Sequence, residues 1–196
     1  MLTKIIIENT LIILGEGFWL LSNASQLHKL FKTRNAKGLS AVSQTLNAAG
    51  NAAWITYFAS HKLWVPVLTN LSMMILTTIV LGYTLGNRKQ FIRGIITIVI
   101  LAPITSYVII KYPLASGWLA VIYNTIAASP QLIKIVVNKR VSGISEKSFF
   151  FSLGAMLCTL IYAVMIGSLP LICGVSIGFI FLIIVMSYYY RYRKHD

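Results

Sequence analysis

Acidic side chains are scarce in this sequence, and charged residues of any kind are few. Only 4 of its 196 residues are Asp or Glu, against 17 Lys or Arg, and charged residues make up 11% of the chain. A soluble domain carries about a quarter charged residues, so this composition excludes an ordinary soluble protein. The sequence also contains no H-x-x-x-H metal spacing and no Walker A nucleotide loop. We therefore expect no enzyme activity, no metal site and no cofactor.

Cysteine is equally rare. Cys158 and Cys173 both lie inside apolar runs, which argues against a disulfide scaffold or a zinc site and favours small packing residues. No cleavable signal peptide is evident, because the first apolar run begins at Ile5 with only Lys4 before it as a basic residue. We interpret this run as a retained first helix.

Long apolar runs dominate the chain. Apolar residues make up 57% of it, and the mean hydropathy is +0.78. A helix needs about 20 mostly apolar residues to cross a bilayer. Seven runs reach this length and predict an all-α membrane protein with seven transmembrane helices, at about 5–28, 41–60, 65–86, 91–111, 114–137, 147–167 and 170–190.

The sequence repeats itself at a spacing of 105 residues. Between residues 25 and 43, six positions are identical to the position 105 later, where about one identity would be expected by chance. Each copy contains a glutamine near the end of a helix, then a basic stretch, then a Gly-x-Ser sequence. The identical pairs are Gln26/Gln131, Leu27/Leu132, Lys29/Lys134, Gly38/Gly143, Ser40/Ser145 and Ser43/Ser148.

Basic residues predict the orientation. The loops after the first, third and fifth runs, with the C-terminal tail, hold 14 of the 17 Lys and Arg, and the other side holds only Lys4, Lys62 and Lys111. Because cytoplasmic loops are rich in Lys and Arg, we expect the N-terminus outside and the C-terminus in the cytoplasm.

A three-helix repeat ends on the side opposite to its start, so a second copy keeps its orientation only if one extra helix separates the two. The sequence thus predicts two parallel triple-helix bundles, residues 1–88 and 113–196, joined by a linker transmembrane helix within 89–112. In transporters built from parallel repeats, the solute site lies near the membrane midplane between the copies.

Gln26 and the Pro130-Gln131 pair, each near the end of the first helix of a bundle, resemble the PQ-loop motif. The plan of three, one and three helices resembles the MtN3/SWEET sugar transporters of the PQ-loop superfamily, although Ser25 stands where that family has a proline. The resemblance implies alternating access between the two bundles. Since proline removes an N–H and kinks a helix, Pro130 is a hinge candidate, and the amides of Gln26 and Gln131 are candidate partners for the freed backbone groups.

Asn70 is the leading candidate for a substrate contact. It lies four residues after Pro66 and resembles the family's third-helix asparagine, and its amide both donates and accepts hydrogen bonds. The counterpart in the second copy is Gly174 or Val175, so that copy has no asparagine at this position. Ser176, a polar neighbour, compensates weakly for its absence. The alternative for such residues is a hydrogen bond between helices.

The second helix carries a polar stripe, because Gln44, Asn47, Asn51 and Trp54 follow one another in steps of 3, 4 and 3. The matching positions of the sixth helix are less polar, which predicts an asymmetric site. In the fifth helix Asn124 aligns with Trp19 of the first copy. We expect Asn47, Asn51, Trp54, Asn124 and Trp19 to line a substrate site, with packing between helices as the alternative.

Glu16 is the only acid well inside an apolar run, and it shares a helix face with Trp19 and Asn23. It is a candidate to carry a coupling proton or to pair with a cationic substrate. The alternative is a structural carboxyl bonded to Gln44, Asn47 or a hydroxyl.

These observations favour a transporter of a small polar solute. A sugar facilitator leads, proton-coupled amino-acid transport is the alternative, and a receptor or scaffold with the same fold is a third interpretation. The expected partners are the solute and the lipid bilayer; nucleic acid is not expected, and a homo-oligomer is left open. High Lys, Ile and Asn usage favours a bacterial cytoplasmic membrane.

Overall fold

The computed structural model describes residues 2–33, 40–85, 88–138 and 145–192, and in these ranges the chain is helical without any strand. The prediction of an all-α protein with seven long helices is confirmed. Gly38 and Gly143 of the repeat lie outside the described residues. The helices are α1 (Leu2–Thr33), α2 (Ala41–Ser60), α3 (Trp64–Leu85), α4 (Arg88–Lys111), α5 (Ser116–Asn138, preceded by the 3₁₀ turn Pro113–Ala115), α6 (Glu146–Ile166) and α7 (Leu169–Tyr192).

Local sequence accounts for several helix ends. The hydroxyl of Ser40 caps α2 by accepting a hydrogen bond from the backbone N–H of Ser43 at 3.5 Å. α6 ends at Gly167, whose φ of +68° favours glycine. Pro66 and Pro170 lie in the first turns of α3 and α7, where a missing N–H removes no helical hydrogen bond.

Two sets of three helices show the same internal contacts. α3 contacts both α1 and α2, and α7 contacts both α5 and α6. The sets meet along two seams, α1 against α6 and α2 against α5. Each of these contacts has an equivalent when α1, α2 and α3 are exchanged with α5, α6 and α7. A repeat of three helices is expected to show this correspondence. The division at 1–88, 89–112 and 113–196 stays a prediction.

α4 lies outside both sets. It contacts α2, α3, α5 and the 3₁₀ turn, and only 11% of its apolar span Phe91–Lys111 is buried. A buried hydrogen bond of 3.0 Å between the hydroxyls of Thr105 and Tyr123 ties it to α5. Its mostly exposed apolar surface suits a linker helix that faces lipid.

Four helices of the described part are long and apolar enough to cross a membrane, namely α3, α4, α6 and α7. α2 and α5, with 20 and 23 residues, are similar in length to these four, and α1 is longer, with 32 residues. In α2 the polar residues include Gln44, Asn47 and Asn51, and these line the interior cavity described below. Interior polar residues therefore lower the hydropathy of α2.

The buried core is concentrated at one end of the molecule. We call it the apolar end, where α1, α3, α5 and α7 begin, and we call the opposite end, which carries Lys29, Lys32, Arg88 and Arg191, the basic end. A Cβ at Gly117 would lie 2.8 Å from the ring of Tyr57, so α2 and α5 approach closely here. The core cluster draws on five helices through Ile12, Trp54, Tyr57, Phe58, Val121, Tyr162 and Leu171.

Candidate binding cavity

A cavity of about 470 Å³ lies between the two helix sets. Six helices contribute to its lining, and α4 is the one that contributes no described residue. The volume falls within the roughly 300–1,000 Å³ of ordinary small-molecule sites. The cavity is therefore the candidate functional site.

Most of the side chains predicted to bind substrate are brought together here. Gln26 also lines the cavity, whereas Ser176 is not among its lining residues, although Val175 and Ile177 beside it are. The side chains of Pro130 and Gln131 lie outside the described part, so their hinge role stays a prediction. The predicted residues that line the cavity are Glu16, Trp19, Asn47, Asn51, Trp54, Asn70 and Asn124.

The lining follows the internal repeat. The stripe of α2 faces the cavity together with the matching positions of α6, Phe149, Ser152, Met156 and Thr159. Along α3 and α7 the lining pairs Met73/Gly178, Leu76/Phe181, Thr77/Leu182 and Val80/Val185 are each separated by 105 residues. This offset makes Val175 the counterpart of Asn70, although Gly174 lines the cavity too.

Two asparagines are held by local contacts. The amide nitrogen of Asn70 donates to the carbonyl oxygen of Pro66 at 2.9 Å, and its side chain lines the cavity. Asn124 packs against Gly50 across the α2–α5 seam, so closely that a Cβ at position 50 would overlap its amide oxygen. Packing and hydrogen bonding thus fix these amides before any solute binds.

Glu16 lies at the apolar end of the cavity. It is 6% exposed, and its carboxyl is hydrogen-bonded by the hydroxyl of Thr69 on α3. The same hydroxyl lies 3.1 Å from the carbonyl oxygen of Val65, and since it has one hydrogen it donates to only one of these two oxygens at a time. The predicted alternative, a carboxyl satisfied by a neighbouring hydroxyl, is therefore met in part by Thr69.

Serine hydroxyls join α1 to α6 nearer the basic end. The hydroxyl of Ser22 lies 2.8 Å from the hydroxyls of both Ser148 and Ser152. One turn further along α1, the side-chain oxygen of Gln26 accepts a hydrogen bond of 3.2 Å from the backbone N–H of Ser145, which caps α6. The first glutamine of the repeat therefore bonds to the other helix set.

The cavity is closed at the apolar end. The hydroxyls of Tyr57 and Ser168 are 2.7 Å apart and buried, and they join α2 to the start of α7. The ring of Trp54 stacks on that of Phe58 with centroids 5.3 Å apart. At the basic end the lining residues Gln44, Asn23, Ser148 and Val185 are only half-buried. Among the described residues, the buried contacts that close the cavity therefore lie at the apolar end.

Several hydroxyl side chains of the site were not predicted. Thr77 lies seven residues after Asn70 and Thr125 directly after Asn124, so helical periodicity or adjacency could have found both. Ser22, Thr69 and Ser148 carried no such signal, because their partners come from helices distant in sequence.

The letters Gly174-Val175-Ser176-Ile177-Gly178 match the G-x-S-x-G pattern of hydrolases. That motif places its serine on a sharp turn between a strand and a helix. Here all five residues lie inside α7. The serine is therefore not presented as a nucleophile.

Comparison with known families agrees with the repeat. A sequence model described as the PQ loop repeat matches residues 7–67 and again residues 112–172. The two matches begin and end 105 residues apart, and together they cover more than half of the chain. Each contains the first two helices of one set and the beginning of the third.

Neither a search of curated proteins nor a search of solved structures gave a match. The two repeats and the four membrane-spanning helices describe a multi-pass membrane protein. The chain belongs to the PQ-loop repeat family.

Proposed function

We propose that this chain carries a small polar solute across the membrane by alternating access between its two helix sets. The observation that supports this most strongly is the cavity of about 470 Å³, lined by the amides of Asn47, Asn51, Asn70 and Asn124. Amides both donate and accept hydrogen bonds, and polar groups inside membrane proteins mark solute pathways. This lining suits a solute rich in hydroxyl or amine groups.

The proposed cycle uses the two seams between the sets. Closure by Tyr57 and Ser168 at the apolar end corresponds to one of its two states. In the other state these hydroxyls separate, and the two helix sets close the cavity at the basic end. A solute held between the sets then leaves on the opposite side.

A sugar is the solute class that we place first. The indole rings of Trp19 and Trp54 line the same cavity as the amides, and flat rings of this kind can cover the apolar faces of a sugar. The resemblance to sugar transporters supports the same choice. The host membrane that we propose is a bacterial cytoplasmic membrane, on the basis of the Lys, Ile and Asn content.

Proton-coupled amino-acid transport is the second candidate. The buried Glu16 favours it, because a carboxyl inside the cavity can carry a proton from one side to the other. A proton gradient should then drive uptake, and a sugar facilitator should not respond to one.

Uptake into liposomes that contain only the purified protein tests the proposal. We expect glucose, sucrose or a member of an amino-acid pool to enter, with an inward proton gradient distinguishing the two candidates. Asn70→Ala should lower uptake about tenfold, since one lost hydrogen bond is worth about 1 kcal/mol or slightly more.

Asn9→Ala is the matched control, because Asn9 lies on α1, is exposed and is not a lining residue. It should leave uptake unchanged. If folded protein takes up none of these solutes, the transport proposal fails on this panel and the receptor interpretation gains support.

A further inference from the structure

The face of α7 that lines the cavity carries no polar side chain among the described residues. α7 supplies more of the described lining residues than any other helix, and they extend over about four turns from Leu171 to Val185. No contact joins α7 to α3 in the described ranges, so these two helices line different sides of the cavity. One side of the site is therefore apolar, and we call this face of α7 the α7 wall.

The internal repeat places apolar residues at the positions equivalent to two asparagines of the first helix set. Asn51 of α2 and Asn70 of α3 correspond, at the spacing of 105 residues, to Met156 of α6 and Val175 of α7. All four residues line the cavity. Parallel repeats are related by an axis along the membrane normal, so equivalent positions face a site between them from opposite sides. At this depth, amides therefore lie on one side of the cavity and apolar side chains on the other.

α6 adds little polarity to the α7 wall. The hydroxyls of its lining residues Ser148 and Ser152 each lie 2.8 Å from the hydroxyl of Ser22 on α1. The hydroxyl oxygen of Thr159 is buried against α1 as well. Since these three hydroxyls lie at the α1–α6 seam, the α7 wall is extended by apolar residues of α6 such as Met156.

Gly178 makes room on the α7 wall for a flexible side chain. A Cβ at this position would lie 3.1 Å from the terminal methyl carbon of Met156, so that methyl group packs directly on the backbone of α7. Val175 and Phe181 flank the glycine on the same helix face and line the cavity with it. Methionine is unbranched and adapts its shape to apolar neighbours. Met156 can therefore move aside and let an apolar group of a solute occupy the recess at Gly178.

We propose that Met156, Val175, Gly178 and Phe181 form an apolar subsite for the transported solute. The inference rests on the proposed function and narrows its substrate to a solute with hydrogen-bonding groups on one side and an alkyl group on the other. Among sugars this chemistry is that of a 6-deoxy sugar, and among amino acids that of one with an aliphatic side chain. A hydroxyl at the subsite weakens binding, because it would be buried without a hydrogen-bond partner.

Binding to purified protein, followed by tryptophan fluorescence, tests the inference without requiring transport. Trp19 and Trp54 line the cavity and respond to its occupancy. Two matched pairs of probes are D-fucose against D-galactose and valine against threonine, in which the first member has a methyl group where the second has a hydroxymethyl or hydroxyl group. We expect the methyl member of at least one pair to bind about fivefold more tightly or better, the factor by which an unpartnered buried hydroxyl weakens binding.

Two substitutions place a polar group on the α7 wall. Val175→Thr keeps the shape of the side chain and adds a hydroxyl, so the preference for the methyl member should fall to near one. Met156→Gln, which introduces an amide at the position equivalent to Asn51, should lower the preference as well. Val164→Thr is the matched control, because Val164 lies on α6, is 62% exposed and is not a lining residue. It should preserve the preference.

Melting curves show whether each variant is folded, and Met156→Gln serves as the test if Val175→Thr is not. The inference is wrong if neither pair shows a preference for its methyl member, or if none of the four probes binds. It is also wrong if the preference survives in both Val175→Thr and Met156→Gln, since the alkyl group then binds elsewhere.

Liposome uptake separates this inference from the proposed function. If glucose or another solute of the panel enters liposomes while neither pair shows a preference for the methyl member, the transport function stands and the apolar subsite does not. If the preference holds and depends on Val175 while no probe and no solute of the panel enters, the subsite stands as a binding site and the proposed transport function fails.

Discussion

Gly50 of α2 fixes the position of a cavity amide on α5. Any side chain at position 50 would overlap the amide oxygen of Asn124, so Gly50→Ala has to displace Asn124 or separate the two helices. Overpacking of this kind costs about 1–3 kcal/mol. We expect a lower melting temperature in detergent and a loss of solute uptake in liposomes.

Gly17→Ala is the control for this substitution, because a Cβ there meets nothing within 4 Å. Alanine is favoured over glycine within a helix by roughly 0.5–1 kcal/mol, so this variant should melt at the same temperature or higher. Adding Asn124→Ala to Gly50→Ala should restore much of the lost stability by removing the overlap. Unchanged melting and uptake in Gly50→Ala would show that α2 and α5 are not packed this closely.

Which residues reach the cavity was predictable where one helix face carries the signal. The stripe from Gln44 to Trp54 follows helical periodicity, and the structure places all of it in the cavity lining. Thr69 is different, since its importance arises from a carboxyl on another helix. Ser176 was chosen for its polarity near the counterpart of Asn70, but its side chain is not in the lining.

The bond between Tyr57 and Ser168 joins two elements from different helix sets. Both side chains are buried, at 5% and 7% exposure, so removing one hydroxyl leaves the other without a partner at a cost of about 1–3 kcal/mol. We expect Tyr57→Phe and Ser168→Ala each to favour opening at the apolar end. The measurement is the labelling rate of a cysteine placed at Leu171, a buried lining residue there, in a chain without Cys158 and Cys173.

Tyr107→Phe is the matched control, since Tyr107 is an exposed tyrosine on α4 outside the cavity. It should leave the labelling rate unchanged. The variant that carries both Tyr57→Phe and Ser168→Ala should be at least as stable as the less stable of the two single variants, because it leaves no hydroxyl without a partner. Purely additive losses would mean that the two hydroxyls do not depend on each other.

The positions of the helices along the chain could be predicted from the sequence, but the helices that each of them contacts could not. Apolar run lengths gave α2 as 41–60, the same residues as in the structure, because turn residues bound it on both sides. α1 is longer than its apolar run and continues to Thr33, since a helix can extend beyond its apolar part when basic side chains are solvated. The seams α1–α6 and α2–α5 carry no sequence signal of their own, because they depend on contacts between residues about 60 or more positions apart.

As a whole, the molecule repeats its backbone plan but not its chemistry. The two matches to the PQ loop repeat are of equal length, and cavity positions correspond at 105 residues. The position equivalent to Asn70 in the second copy is nevertheless Val175, and the position equivalent to Glu16 is Val121. The charged and most of the amide groups therefore belong to the first copy. A solute bound between the sets would interact mainly with that copy through hydrogen bonds and with the second copy through apolar contacts.

The distribution of basic residues predicts how the whole molecule sits in its membrane. Lys29, Lys32 and Arg88 lie at the basic end, and Lys and Arg accumulate on the cytoplasmic side of membrane proteins. The basic end should therefore face the cytoplasm, and the apolar end, with the Tyr57–Ser168 bond, should face the outside. In a chain without Cys158 and Cys173, a membrane-impermeant thiol reagent applied to intact cells should label Ser60→Cys, which is exposed at the apolar end.

The same reagent should reach Arg88→Cys, exposed at the basic end, only after the membrane is permeabilised. Each variant is tested in both conditions, so the permeabilised sample shows whether its cysteine is reactive. This separates shielding by the protein from shielding by the membrane. The reverse pattern would place the N-terminus in the cytoplasm. The Tyr57–Ser168 bond would then close the cavity on its cytoplasmic side.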